Sequence, residues 1–226
     1  MNLANTRFQG LWAGLRISAL AALLFILSGV VAPARAIIYP ALFSTQEFRS
    51  DNLEIFPKWT GALDRYFDEK RLGDGECTGE EFNRCYLGEW QSFLNTLVGL
   101  DRRSQIEKIN RYMNEAWYIT DIRNYGVLDY WATPRQFFTR DGDCEDYAIA
   151  KFMSLRALGL GNELMRVVVL QDLNLQTAHA VLVVYLDGEA LILDNQVLQV
   201  VPADQIRHYQ PYYSLNETSW WLHQPL

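Results

Sequence analysis

Late in the chain three β-rich runs follow one another closely, at 164–170, 178–186 and 190–193. Asp187-Gly188, between the last two, is the dipeptide of a tight hairpin turn. A linker that short obliges the strands to run antiparallel. Earlier in the chain the apolar residues repeat at helical spacing instead. Trp59, Leu63, Tyr66 and Phe67 share one face, as do Leu87, Trp90, Phe93, Leu94 and Leu97, and again Ile106, Ile109, Met113 and Trp117. Each set is expected to face a core. Helices first and an antiparallel sheet afterwards specify an α+β domain. Half of the 226 residues are hydrophobic and 13% are aromatic, which supplies that core and argues against disorder, collagen or coiled coil.

The first 36 residues read differently. Arg7 and Arg16 precede the apolar run 17–32, and Pro33-Ala34-Arg35-Ala36 offers a small-x-small cleavage site. This run falls short of the roughly 20 apolar residues of a membrane span, and Arg16 blocks its extension backwards. The expectation is therefore a cleaved secretory signal over 1–36 and a single soluble domain over 37–226, helical to 118 with its catalytic core from 119. The chain holds 20 basic and 27 acidic residues, and three of the basic ones lie in the leader. The remaining 17 against 27, a net of −10, argue against nucleic acid as the main partner.

Three cysteines, Cys77, Cys85 and Cys144, are too few for a disulfide scaffold. In an oxidising compartment Cys77 and Cys85 can pair across a short loop. A metal site is the alternative, but the seven-residue gap and the lack of a nearby His fit zinc poorly. Cys144 is left over, and its surroundings suggest a use. Pro134 and Thr139-Arg140-Asp141-Gly142 mark irregular chain, and Asp143 has the character of an N-cap. A helix follows with Ala148, Phe152 and Leu155 on one face, ended by Gly159 and Gly161. Cys144 then takes the first helical position, where unpaired N–H groups and the helix dipole favour a thiolate.

A thiolate nucleophile needs a base. Of three histidines, His179 begins a strand, while His208 and His223 lie in the polar tail. With a two-residue turn at 187–188, His179 stands opposite Gln196, and Asp194 is its diagonal neighbour on the same face. A four-residue loop keeps that choice; a three-residue loop would substitute Asn195. The expected set is Cys144 as nucleophile, His179 as general base and then acid, and Asp194 orienting the ring. Taken singly, a helical Cys is more often a small buried hydrophobe and a strand His a satisfied core residue. The combination is what points to chemistry. Trp131 reads either as a wall of the cleft or as a core aromatic, and Asn216-Glu217-Thr218 as a plain loop.

Asp141, Asp143, Glu145 and Asp146 crowd the cysteine and disfavour a second negative charge there. Acids prefer helix N-termini, which accounts for part of this. A bound cation would offset the rest, and hard oxygen ligands at this density suit Ca²⁺. Asp141-x-Asp143-x-Glu145 matches an EF-hand loop only in part, since such a loop needs Gly where Asp146 stands.

Four blocks carry a family resemblance: Asp129-Tyr130-Trp131-x-Thr133-Pro134, Gly142-Asp143-Cys144-Glu145-Asp146-Tyr147-Ala148, Ala178-His179-Ala180-Val181-Leu182-Val183 and Leu191-Ile192-Leu193-Asp194-Asn195. In order and spacing they resemble the bacterial transglutaminase-like cysteine proteinases, over roughly residues 101–221. The resemblance implies a papain-like α+β fold and a Cys144–His179–Asp194 triad. Its LapG-type branch implies a Ca²⁺-requiring periplasmic endopeptidase that clips the N-terminal region of RTX adhesins and releases biofilm cells. Carried over, the calcium ligands are Asp143, Glu145 and Asp146. The partners implied are a protein substrate, an RTX-type adhesin among them, and a membrane-bound regulator. The Cys77/Cys85 pair and the acidic loop around it depart from that branch. The same residues would also serve transglutaminase-type amide acyl transfer, with an amine in place of water, or a non-catalytic calcium-responsive binding module.

Overall fold

The computed structural model describes residues 39–72 and 84–226. The leader, Cys77 and the side chain of Cys85 lie outside them, and with them the expected signal and the expected cysteine pairing. The chain runs Thr45–Ser50 (β1), Pro57–Leu72 (α1), Arg84–Leu97 (α2), Arg102–Met113 (α3), Asp121–Asn124 (α4), Pro134–Arg140 (α5) and Cys144–Ala157 (α6). Then follow Met165–Asp172 (β2), Thr177–Leu186 (β3), Glu189–Leu193 (β4), Val201–Pro202 (β5), Tyr209–Leu215 (β6) and Trp220–Pro225 (β7). These strands form one antiparallel sheet in the order β1-β7-β6-β2-β3-β4-β5.

The β3–β4 hairpin closes through Asp187 and Gly188, whose φ values of 51° and 86° are both left-handed. A two-residue turn of that kind matches the twist of the strands it joins. Pairing runs from Leu186 opposite Glu189 to Leu182 opposite Leu193, the register that the turn residues predict.

Both faces of the sheet are covered, so its central strands read as unbroken apolar runs rather than alternating ones. Val167, Leu182, Val184, Leu191 and Leu193 pack against the helices. Val168, Leu170, Val181, Val183, Tyr185 and Ile192 pack on the opposite face with Leu42, Ala203 and Tyr209. Helix α6 lies between the sheet strands β2 and β3 and the helices α3 and α5. It is buried continuously from Asp146 to Leu155, so it carries apolar residues all round. Phe152 is fully enclosed there, and truncating such a ring costs about 3–5 kcal/mol.

Four details differ from the sequence expectation. Phe67 is 48% exposed and Trp117 is 77% exposed, although both fall on helical stripes. Helix α3 ends at Met113, so the helical period no longer applies at Trp117; Phe67 sits on the flank of α1, edge-on to Tyr66. Strand β1 precedes the helices, within a region expected to be helical. It pairs with β7, which no local pattern announces. His223, read as a tail residue, is buried on β7 between the hydroxyls of Thr45 (2.9 Å) and Ser214 (2.8 Å). Of the two readings of Trp131, the core one holds: the side chain is buried and meets Trp59 edge-on at 6.2 Å.

Candidate active site

Asp143 is the N-cap of α6, with extended backbone, and Cys144 is the first residue of the helix. Three residues on, Asp146 turns back and accepts the Asp143 N–H (3.3 Å) and the Ala132 N–H (2.6 Å). This reciprocal arrangement satisfies donors that a helix start leaves free. It also explains Gly142, because a Cβ there would collide with the Asp146 carboxylate. The segment before α4 is laced to the same turn. Ile119 donates its N–H to the Gly142 carbonyl (2.9 Å), and Trp117 donates to Asp141 Oδ1 (3.1 Å). The Tyr118 phenol is thereby set near the sulfur, and burial followed by the charge of Cys144 raises its pKa.

His179 and Asp194 are both buried, and His179 Nε2 lies 3.0 Å from Asp194 Oδ1. That carboxylate also accepts the Gln196 N–H (2.9 Å) and the Tyr209 hydroxyl. Burial pushes its pKa up, but the His179 hydrogen bond, the imidazole charge and the other two donors together hold it below the usual carboxylate range. Asn114 Nδ2 secures the Asp194 backbone carbonyl at 2.7 Å. Asn195, the alternative partner, makes no bond to the imidazole among the described residues. Cys144 is half-buried. The N–H of Ala180, the residue after His179, supports its sulfur, while the thiol donates its hydrogen bond to Glu145 Oε2 at 3.2 Å. Burial first, then the Glu145 and Asp143 carboxylates, push the thiol well above its ordinary range.

The acids around Cys144 form two groups that overlap at Asp121, each with oxygens close enough to share an ion: Asp121, Asp129 and Glu145, and Asp121, Asp143 and Asp146. Sequence reasoning supplied Asp143, Glu145 and Asp146 and missed Asp121 and Asp129. Asp141 belongs to neither group. Burial and mutual repulsion raise Asp143, lift Asp146 well up, and bring Asp121 to about 6 and Glu145 to about 9. Asp143 Oδ1 and Asp121 Oδ1 are buried without a hydrogen-bond partner among the described residues. Oxygen atoms left bare in a crowd of carboxylates fit a hard divalent cation.

The sequence model of the bacterial transglutaminase-like cysteine proteinases (BTLCP) matches residues 77–223, most of the chain. The chain belongs to this family. It is therefore a cysteine peptidase, with protein as its substrate. LapG of Legionella pneumophila is a similar solved structure, 29% identical over 71% of this chain and 87% of its own, with a TM-score of 0.57. Its calcium-bound form gives 29%, 71%, 87% and 0.58, and its EGTA-treated form 28%, 72%, 86% and 0.58. No curated protein matches the chain.

Within this transglutaminase-like proteinase, the two missed acids could have been found unequally. Asp129 opens the Asp129-Tyr130-Trp131 block, which marks it as more than a loop acid. Asp121 had no such signal. It lies 22 residues before Asp143 and is buried by tertiary contacts, its carboxylate accepting the Tyr130 N–H.

Proposed function

We propose that the chain is a calcium-dependent periplasmic cysteine endopeptidase that works through Cys144, His179 and Asp194 and trims the N-terminal region of a large surface adhesin. The observation that carries this reading is the His179–Asp194 hydrogen bond in a hairpin packed against α6, the helix whose first residue is Cys144. His179 takes the thiol proton, and the sulfur attacks a peptide carbonyl carbon. The Cys144 N–H, at the first position of α6 where backbone donors lack intrahelical partners, serves the developing oxyanion. His179 then gives its proton to the departing amine, leaving a thioester on Cys144. Water attacks the thioester, its proton passes to His179, and the acid product leaves as the sulfur is released. Asp194 stays ionised throughout and holds the ring.

Asp121, Asp129, Asp143, Glu145 and Asp146 would hold the calcium ion, in keeping with LapG of L. pneumophila, which has been solved with calcium bound. The ion would neutralise the carboxylates that press on the thiol. The leader pattern of residues 1–36 supports the periplasmic assignment, and the family resemblance supports the adhesin and a membrane-bound regulator as partners.

The test is incubation of the purified protein with an adhesin N-terminal fragment, in calcium and in EGTA, followed by mass spectrometry. Cleavage gives two fragments whose masses sum to the substrate plus one water; amide acyl transfer would give adducts instead. Cys144→Ala should abolish turnover in a folded protein. Turnover that survives in that variant ends the triad reading.

A further inference from the structure

Lys151 sits at the middle of α6 with no exposure at all. Its Nζ has no hydrogen-bond partner among the described residues, and the Tyr147 ring centroid is 5.9 Å away. An unpaired ammonium is among the costliest groups to enclose, and an apolar side chain would fill the same volume without that cost. Its placement along the helix is specific. Cys144, Tyr147 and Lys151 stand at i, i+3 and i+7, on one face of α6. The charge acting on the ammonium is that of Asp194, the carboxylate bonded to His179.

The ionisable groups around it are few. Tyr147 lies on its own helix, and Asp194 at the end of β4 brings its partners His179 of β3 and Tyr209 of β6. From α3 the loop after β4 is held by neutral amides: Asn114 bonds the Asp194 carbonyl, and Asn110 bonds those of Val197 and Leu198. Among these, only Lys151 brings a positive side chain that is not itself part of the hydrogen-bonded set. Burial pulls its pKa down to about 7, and Asp194 acts in the opposite sense.

We propose that Lys151 is a positioning residue: from within the helix that carries Cys144, its buried ammonium moderates the hold of the Asp194 carboxylate on the His179 ring. This deepens the reading of His179 and Asp194 as triad members and rests on it. Without the ammonium, the carboxylate field at the ring is unopposed and the imidazolium is favoured. With it, part of that field is offset, and the ring that must accept the thiol proton is held less firmly as the cation.

The experiment is an NMR titration of the assigned His179 ring in the wild-type chain and in Lys151→Met. The His179 midpoint should rise by about one pH unit in the variant, and kcat at neutral pH should fall about tenfold with KM changed less than twofold. A variant that is folded and less heat-stable, yet has an unmoved His179 midpoint, overturns the proposal and leaves Lys151 a packing residue. If Lys151→Met does not fold, ¹⁵N titration of the Lys151 ammonium in wild type and in Asp194→Asn decides instead. Loss of the carboxylate should lower the Lys151 midpoint by about one unit; equal midpoints overturn the coupling. These titrations need no substrate, so they are separate from the test of the protease reading. Turnover in Cys144→Ala removes the triad whatever the midpoints do, and a cleaving enzyme with unmoved midpoints removes only the role of Lys151.

Discussion

The thiol of Cys144 donates its hydrogen bond to Glu145, 3.2 Å away, and not to His179. Glu145 is at once the acceptor of the thiol's hydrogen bond and a member of the acidic group with Asp121 and Asp129. A charge placed in that group acts on the Cys144 thiol through Glu145. Alkylation of Cys144 at neutral pH should be at least about tenfold faster with calcium than with EGTA, because neutralising the carboxylates brings the thiol pKa back down toward its ordinary range. Mass-resolved labelling of Cys144 with iodoacetamide measures it. Equal rates in the two conditions would remove the link between the acidic group and the thiol.

Proton competition at the same group has a definite direction. Glu145 is lifted to about 9 and Asp121 to about 6 in the absence of a cation, so the folded state binds protons more tightly there than the unfolded chain. Without metal, stability should then fall as pH rises from the ordinary carboxylate range toward 9. Calcium must displace those protons, so its binding should release protons and tighten with pH. Calorimetry in two buffers of different ionisation enthalpy reads the release directly.

Asp121 is the acid common to both groups. Saturating calcium at a hundred times its dissociation constant stabilises a folded protein by about 2.7 kcal/mol. Asp121→Asn should lose most of that gain while folding normally in EGTA. Thermal melts of the two proteins, with and without calcium, provide the comparison.

Gly142→Ala should cost about 1–3 kcal/mol, the usual range for overpacking. The added methyl meets an Asp146 carboxylate that cannot retreat, since its two oxygens hold the N–H groups of Ala132 and Asp143. Denaturant unfolding measures the loss, and a neutral outcome would mean that the turn before α6 can shift.

His223 titrates in the opposite sense to Glu145. Burial first, and the Arg166 charge after it, bring its pKa from 6.5 down to about 4, against the favourable pull of Glu47. The unfolded chain therefore takes up a proton that the folded one refuses, and stability is lost as pH falls from about 6.5 toward 4. The full difference is on the order of 3 kcal/mol. It should appear as a drop in melting temperature over that window, and His223→Gln should flatten it.

How much of this was legible in the sequence depends on how local each cause is. The β3–β4 register follows from two residues of positive φ, and with it came the pairing of His179 with Asp194 fifteen positions away. The N-cap at Asp143 and the position of Cys144 followed from residues adjacent in the chain. The pairing of β1 with β7 had no such cue: a short, half-exposed strand is placed by a partner at the far end of the chain. Asp121 and His223 were missed for the same reason, since burial by distant segments gives a polar residue its role without altering the pattern around it. Trp117 failed in the other direction, because helical spacing continued on paper beyond the point where the helix had ended.

The bond between Thr45 and His223 spans 178 positions, and it joins the first strand of the sheet to the last. The β1 edge can be laid down only after β7 exists, so the sheet cannot close progressively as the chain emerges. Pairings this distant in sequence are slow to form. Until residue 220 is available, β6 keeps an unpaired edge and β1 has no partner, the state in which strands add to neighbouring chains. A chain cut after Ser219, before β7, would thus leave β1 and β6 both with open edges and exposed to aggregation.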